Sequence, residues 1–299
     1  MKTLVLCGMI LTALASGCGP VDTAPSDPSQ VQTQAQEAVE DNGLSFNGLA
    51  FNGLSLNGLN YNGLSLNGLK DNSFNDFRFM VWFIRNTAES DLLMKYLVRC
   101  AVPQGETRRY RKGLAVYEWQ GGLGLAPGWS GGAPVTLEEQ QVVSACLAAL
   151  TNKYGRSVLL SLRGTTARGV TIPITSAEQA DYPVREACFF GNLFTGQGIF
   201  VGNDRPLLPE GQSSLRACAL MGTKECAPMV HVGSCQQSCA QDPSGSHFTR
   251  CTRGNVTYHA ISTRLRTEDI YTCGDGRCQF PESYDSGPGL RQCRQDCRP

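Results

Sequence analysis

An α+β fold is predicted by three features of the chain. Two segments carry helical periodicity, several short runs have strand composition, and the two kinds do not alternate in the βαβ order of a parallel sheet. The third feature is a set of cysteines in the second half that implies a disulfide-bonded globular domain.

The globular domain is predicted over 73–271. Its first stretch, FNDFRFMVWFIRN (74–86), is dense in aromatics and reads as core. SDLLMKYLVRC (90–100) reads as a helix with Ser90 as N-cap and Leu93, Tyr96, Leu97 and Cys100 on one face. Residues 106–126 read as two strands around Lys112-Gly113, followed by a Gly-rich loop that ends at Pro127. TLEEQQVVSACLAALTNKYG carries the clearest helix signal. Thr136 and Glu139 form a capping box, Val143, Cys146, Leu147, Leu150 and Tyr154 make one face, and Gly155 supplies the stop. Further strands are predicted at 157–164, 169–174, 186–194 and 256–265.

The N-terminus sets the compartment. Residues 1–17 hold one basic residue, Lys2, then an apolar run from Leu4 to Ala15, too short to span a bilayer and suited to a signal peptide. The ending LASGC resembles a bacterial lipobox, with Ala15 where the family has Leu. The resemblance implies lipid attachment at Cys18, and Gly19 in place of Asp implies the cell outer membrane. Residues 19–41 are rich in Pro, Ser and Gln, so 18–41 reads as a lipidated, flexible leash.

Between Asn42 and Leu69 the triplet Asn-Gly-Leu returns every five residues. The units resemble pentapeptide repeats, which implies an inward Phe or Leu with another Leu two residues before it. Too few units are present for a free-standing β-helix, so 42–72 is expected to be a stalk or a single coil capped by the next domain, with Phe46, Phe51 and Tyr61 offering a surface for self-association.

Of 14 cysteines, Cys7 lies in the leader and Cys18 carries the lipid in this reading. The others are Cys100, Cys146, Cys188, Cys218, Cys226, Cys235, Cys239, Cys251, Cys273, Cys278, Cys293 and Cys297, enough for six bridges. The run from 74 to 271 resembles a domain of secreted or lipid-anchored proteins of myxobacteria and relatives, a likeness that supplies lineage and compartment without an activity. The tail, CGDGRCQFPESYDSGPGLRQCRQDC within 272–299, resembles a small cysteine module of the form CGDGxC…E…CxxDC. That likeness implies two bridges inside the tail and acidic positions, Asp275, Glu282 and Asp296, able to hold calcium, against the alternative of a disulfide knot without metal.

Lys+Arg and Asp+Glu both number 26, and RRYRK (108–112) is the one basic cluster, so nucleic acid is not an expected partner. Cys235, Cys239, His247 and Cys251 have spacing that suits tetrahedral zinc, against the alternative that the cysteines are bridged. Cys146 with His231 or His259 is a formal nucleophile–base pair, on a helix face where a buried thiol is expected instead. GLGLAPG and GQGIFVG imitate nucleotide-binding glycines, but the first meets Pro127 and the second has the wrong spacing, so both read as turns. Tyr117, Trp119 and Trp129 are the candidate carbohydrate or peptide groove, against the alternative that Trp119 and Trp129 are core, and Trp82 reads as core. The resulting expectation is a lipid-anchored, non-enzymatic binding, adhesion or structural protein of the envelope. A secreted hydrolase or zinc enzyme using Cys/His groups in 231–259 is the alternative.

Overall fold

The computed structural model describes residues 39–41, 59, 62–152, 156, 158–222, 226, 229–287 and 289–299. Helices and a largely antiparallel sheet share one core, an α+β fold held by six disulfides.

The aromatic stretch forms helix α1 (Phe77–Arg85), capped by Asp76, whose carboxylate accepts from Arg78 N at 2.7 Å. Hydrogen bonding from the Arg78 side chain holds the Asp76 carboxyl down to about 2. Helix α2 (Thr87–Ala101) begins before the predicted Ser90, because Asn86 is the N-cap and accepts from Glu89 N; Ser90 lies buried inside the helix. Strands β2 (Thr107–Lys112) and β3 (Ala115–Gln120) form the expected hairpin. Helix α3 (Leu137–Ala149) starts with the predicted capping box, the Thr136 hydroxyl accepting from Glu139 N and the Glu139 carboxylate from Thr136 N. It ends at Leu150, short of Gly155, which lies outside the described residues. Its burial is not one-sided: every residue from Gln141 to Leu150 is buried, since α3 packs between the sheet and α2.

The sheet has eight strands. Strands β1 (Val39–Asp41), β4 (Leu159–Gly164), β10 (Val256–Leu265), β5 (Val184–Asn192), β6 (Gly198–Asn203) and β7 (Val230–Ser234) lie side by side in that order. Strand β9 (Phe248–Arg253) pairs with β10 and with β8 (Cys239–Gln241), and among the described strands of this sheet β6 and β7 are the parallel pair. Strand β1 belongs to the predicted leash yet covers the edge of β4, with Val39 opposite Ser161. The predicted strand at 169–174 does not form. Thr171 makes an isolated bridge to Thr165 and Ile172 N reaches Gly164 O, but Pro173 lacks the N–H that a ladder would need.

The end of the repeat is part of this body. Leu59, Leu64 and Leu69 are 1%, 0% and 0% exposed and join the main core, whereas Leu66, at the expected inward position, is 61% exposed. The physical unit is local. Asn62 turns its side-chain oxygen onto Leu64 N at 3.0 Å, Gly63 takes φ +80°, and the leucine that follows drops into the core. At the next unit Gly68 has φ +78°, and a Cβ there would lie 2.4 Å from the Gly132 backbone, so no other residue fits. Residues 42–58 and 60–61, including Phe46, Phe51 and Tyr61, lie outside the described residues.

Trp129 holds this strap in place. Its indole Nε1 donates to Leu64 O at 2.7 Å and its carbonyl accepts from Leu69 N at 2.9 Å. Val135 N donates to Ser65 O, and the Arg108 guanidinium donates to Leu69 O and Ser130 O. Behind Trp129, Glu139 accepts from Gly128 N and Trp129 N with one carboxylate oxygen and from Thr136 N with the other.

The disulfides are Cys100–Cys146, Cys188–Cys235, Cys218–Cys226, Cys239–Cys251, Cys273–Cys293 and Cys278–Cys297. The last two lie within the tail, as the module resemblance implied. The tail also touches the body, through Cys273 N to Gly211 O and the Arg291 guanidinium to Met221 O.

The repeat register makes a sharp prediction. Leu64→Ala should destabilise the fold by about 2–5 kcal/mol in denaturant unfolding, and Leu66→Ala by no more than about 0.5 kcal/mol. Equal effects would contradict the register.

Candidate functional site

The predicted groove of Tyr117, Trp119 and Trp129 is not formed. Both indoles are buried and bonded inside the protein, Trp119 Nε1 to Asp91 Oδ1 at 2.7 Å and Trp129 Nε1 to Leu64 O, while Tyr117 packs against Phe83 with ring centroids 4.8 Å apart. Trp82, expected in the core, is half-buried and lines a surface groove of about 320 Å³ with Phe77, Arg78, Val81 and Arg85. The cause lies in α1, which is apolar on two sides. Phe79 and Phe83 face inward, and Phe77, Met80 and Ile84 point to solvent at i, i+3 and i+7, with Phe77 72% exposed.

A second cluster lies on the opposite, outer face of the sheet. Register places Arg163 across from Ser262, and Arg264 across from both Ser161 and Arg185. Like charges in direct opposition need neutralising partners. Asp204 accepts from Arg185 Nε at 2.9 Å, Ser246 O from Arg264, and Ser161 links Arg163 to Glu178 through bonds of 2.8 and 2.6 Å. Burial pushes the Asp204 carboxyl up, against the pull of Arg185. The 242–248 turn roofs this layer. There, burial would raise the Asp242 carboxyl, but hydrogen bonds from Ser244 and His247 N bring it well below the usual range.

His247 Nδ1 lies 2.7 Å from Ser246 Oγ and 3.5 Å from Asp242 Oδ1. Serine and aspartate therefore share one ring nitrogen, which is not the order of a nucleophile–base–acid relay. Burial lowers the imidazole below its ordinary value, as do the charges of Arg163 and Arg264, with Asp242 opposing them. His231 and His259 are also lowered, by burial first. Cys146 is bridged to Cys100 and fully buried, so the Cys146–His231 and Cys146–His259 pairs fall.

The zinc set Cys235, Cys239, His247 and Cys251 is likewise not assembled, because Cys235 is bonded to Cys188 and Cys239 to Cys251; a disulfide sulfur is no thiolate ligand. In the tail, Asp296 accepts from the backbone N–H groups of Gly274, Asp275 and Gly276, and Asp275 from Arg277 N. Glu282 accepts from Gln279 N, and its carboxyl is raised by burial, opposed by that bond, with Asp275 and Asp296 adding to the rise. The ligand atoms of the three carboxylates do not gather within 4.8 Å of one another, and a calcium ion would compete with three amides for the oxygens of Asp296. Of the two glycine motifs, GLGLAPG runs into a single helical turn that Pro127 opens, a position proline suits, and Glu139 occupies its N–H groups. GQGIFVG runs into strand β6.

Comparison with protein-family models, with curated proteins and with solved structures gave no match. Sequence reasoning missed the arginine layer and the outward stripe of α1. The signals were present as a serine and an arginine two residues apart in each of two predicted strands, Ser161 with Arg163 and Ser262 with Arg264, and as a helix with apolar residues on every side.

The buried histidines fix a pH dependence. His247 and His259 have folded-state values below the unfolded value of about 6.5, so above it both states are neutral and stability is full. Below it the unfolded chain binds protons that the folded chain resists, costing up to about 1.4 kcal/mol per pH unit for each group. Tm should fall between pH 7.5 and 5.5, and His259→Phe should flatten the slope; a flat or rising wild-type profile would count against neutral buried histidines.

Proposed function

We propose that the chain is a lipid-anchored cell-envelope protein, held through Cys18 at the outer membrane, that acts as a non-enzymatic binding or structural component of the surface. The observation that carries this reading is the cysteine inventory. The twelve cysteines after Cys18 pair into six bridges, leaving outside them Cys7 in the leader and Cys18 at its cleavage point. Such a density of bridges suits an oxidising compartment. The binding surface in this reading is the groove on α1, where apolar side chains flanked by Arg78 and Arg85 favour a peptide or envelope-protein segment with an apolar anchor and an acidic flank. The reading requires no calcium in the tail and no self-association through 42–72. The Cys/His hydrolase or zinc-enzyme alternative is weakened by the bridged cysteines and by the burial of His247 and His259.

Expression in a bacterial host that processes lipoproteins tests the anchor. Wild type should incorporate radiolabelled palmitate and fractionate with membranes, and Cys18→Ser should abolish both; a labelled or membrane-bound Cys18→Ser chain would refute it. For the groove, Phe77→Asp should leave stability within about 0.5 kcal/mol yet reduce the fluorescence of bound anilinonaphthalene sulfonate. Unchanged dye binding would exclude this surface.

A further inference from the structure

Two disulfides lie side by side on the outer face of the sheet. Cys188 on β5 is bonded to Cys235, which opens the helical turn after β7, and Cys239, just after that turn, is bonded to Cys251 on β9. The Cys188 and Cys239 sulfurs, from different bridges, are 3.6 Å apart, and those of Cys188, Cys239 and Cys251 all lie within 4.8 Å of one another. Gly202 permits this crowding, since a Cβ there would sit 3.1 Å from the sulfurs of both Cys188 and Cys235. Cys188, Cys235 and Cys251 are fully buried, and Cys239 is half-buried.

Four Zn–S bonds of about 2.3 Å in a tetrahedron place the sulfurs about 3.8 Å apart. The distance between the two bridges already matches one edge of that figure. We propose that Cys188, Cys235, Cys239 and Cys251 form a redox-convertible metal site, closed as two disulfides when oxidised and holding one zinc ion as four thiolates when reduced. The proposal does not depend on the lipid anchor. It differs from the spacing-based zinc set in one ligand, Cys188 in place of His247. His247 engages Ser246 through Nδ1 and faces the charges of Arg163 and Arg264, a poor setting for a dication.

The conversion balances with a dithiol as reductant. A dithiol thiolate attacks Cys239 Sγ, the accessible sulfur, and releases Cys251 as thiolate. The second thiol of the reagent then displaces Cys239, and the reagent leaves as its cyclic disulfide. Cys239 attacks Cys188 Sγ, 3.6 Å away, forms Cys188–Cys239 and releases Cys235. A second dithiol opens that bond through Cys239 in the same way. Four electrons and four protons have then passed to the two bridges from two dithiols, leaving four thiols. Zinc displaces the four protons, and its charge stabilises thiolates that would otherwise repel one another in a buried site.

The test uses the mature chain treated with dithiothreitol, with native mass and alkylation mapping measured with and without zinc chloride. One zinc per chain is expected, with zinc protecting Cys188, Cys235, Cys239 and Cys251 while Cys273, Cys278, Cys293 and Cys297 are alkylated. Joint Cys188→Ser and Cys235→Ser should weaken zinc binding at least tenfold, and joint Cys278→Ser and Cys297→Ser should leave it unchanged. Absence of zinc uptake overturns the proposal, as does protection confined to the tail cysteines or equal affinity in the first double variant. Should that variant fail to fold, the protection map of the wild-type chain decides alone.

Discussion

The carboxylate of Glu139 is the interaction on which the N-terminal half of the fold depends. It stands in the first turn of α3, closes that helix's own capping box, and accepts from the backbone N–H groups of Gly128 and Trp129. The segment bearing Trp129 is thereby fastened to a buried helix. Trp129 in turn binds the backbone of the repeat on both sides of its helical turn, at Leu64 and Leu69. A buried charge satisfied by three donors is stable, whereas removing it would strand those donors. Through this chain of contacts the last Asn-Gly-Leu units become pegs in the core of a protein whose earlier repeats continue the same spacing.

The two faces of the sheet solve different problems. One is covered by α3 and the aromatic core around Phe189, Phe194 and Trp129, where burial of apolar area supplies the stability. The other carries three arginines, three carboxylates and a histidine under the 242–248 turn, beside the two adjacent disulfides and a small cluster of Phe190, Phe248 and Tyr258. Paired buried charges contribute little net stability, so the bridges there compensate for a core that the polar layer interrupts.

Where local chemistry and tertiary environment agreed, the sequence was readable. The Thr136–Glu139 capping box, the 112–113 hairpin and the strand over 256–265 are determined by short-range patterns, and each formed as expected. That the tail holds two bridges of its own was implied by the resemblance of its cysteine pattern to a small module. What the pattern could not convey was depth. A leucine every five residues reads alike whether it lines a solitary coil or enters a core, and the difference lay in partners such as Trp129 and Arg108, far along the chain. The tryptophans stayed divided between groove and core for the same reason: Trp119 and Trp129 flank a glycine-rich loop that looks like a surface feature, while Asp91 and Leu64 O draw their indoles inward. The arginine layer came from strand register, which pairs residues roughly 100 apart in sequence, so the polar positions within each strand do not by themselves say which of them meet.

Amide hydrogen exchange offers the most direct test of this account, measured at Leu69 and Val135 in the wild-type chain and in Glu139→Gln. If the repeat is pegged into the core through Trp129 and Glu139, both amides should exchange in the wild type as slowly as the centre of α3, and faster in the variant by at least tenfold. Rapid exchange of both in the wild type, at the rate of an exposed segment, would contradict the central claim and return the repeat to the role of a stalk.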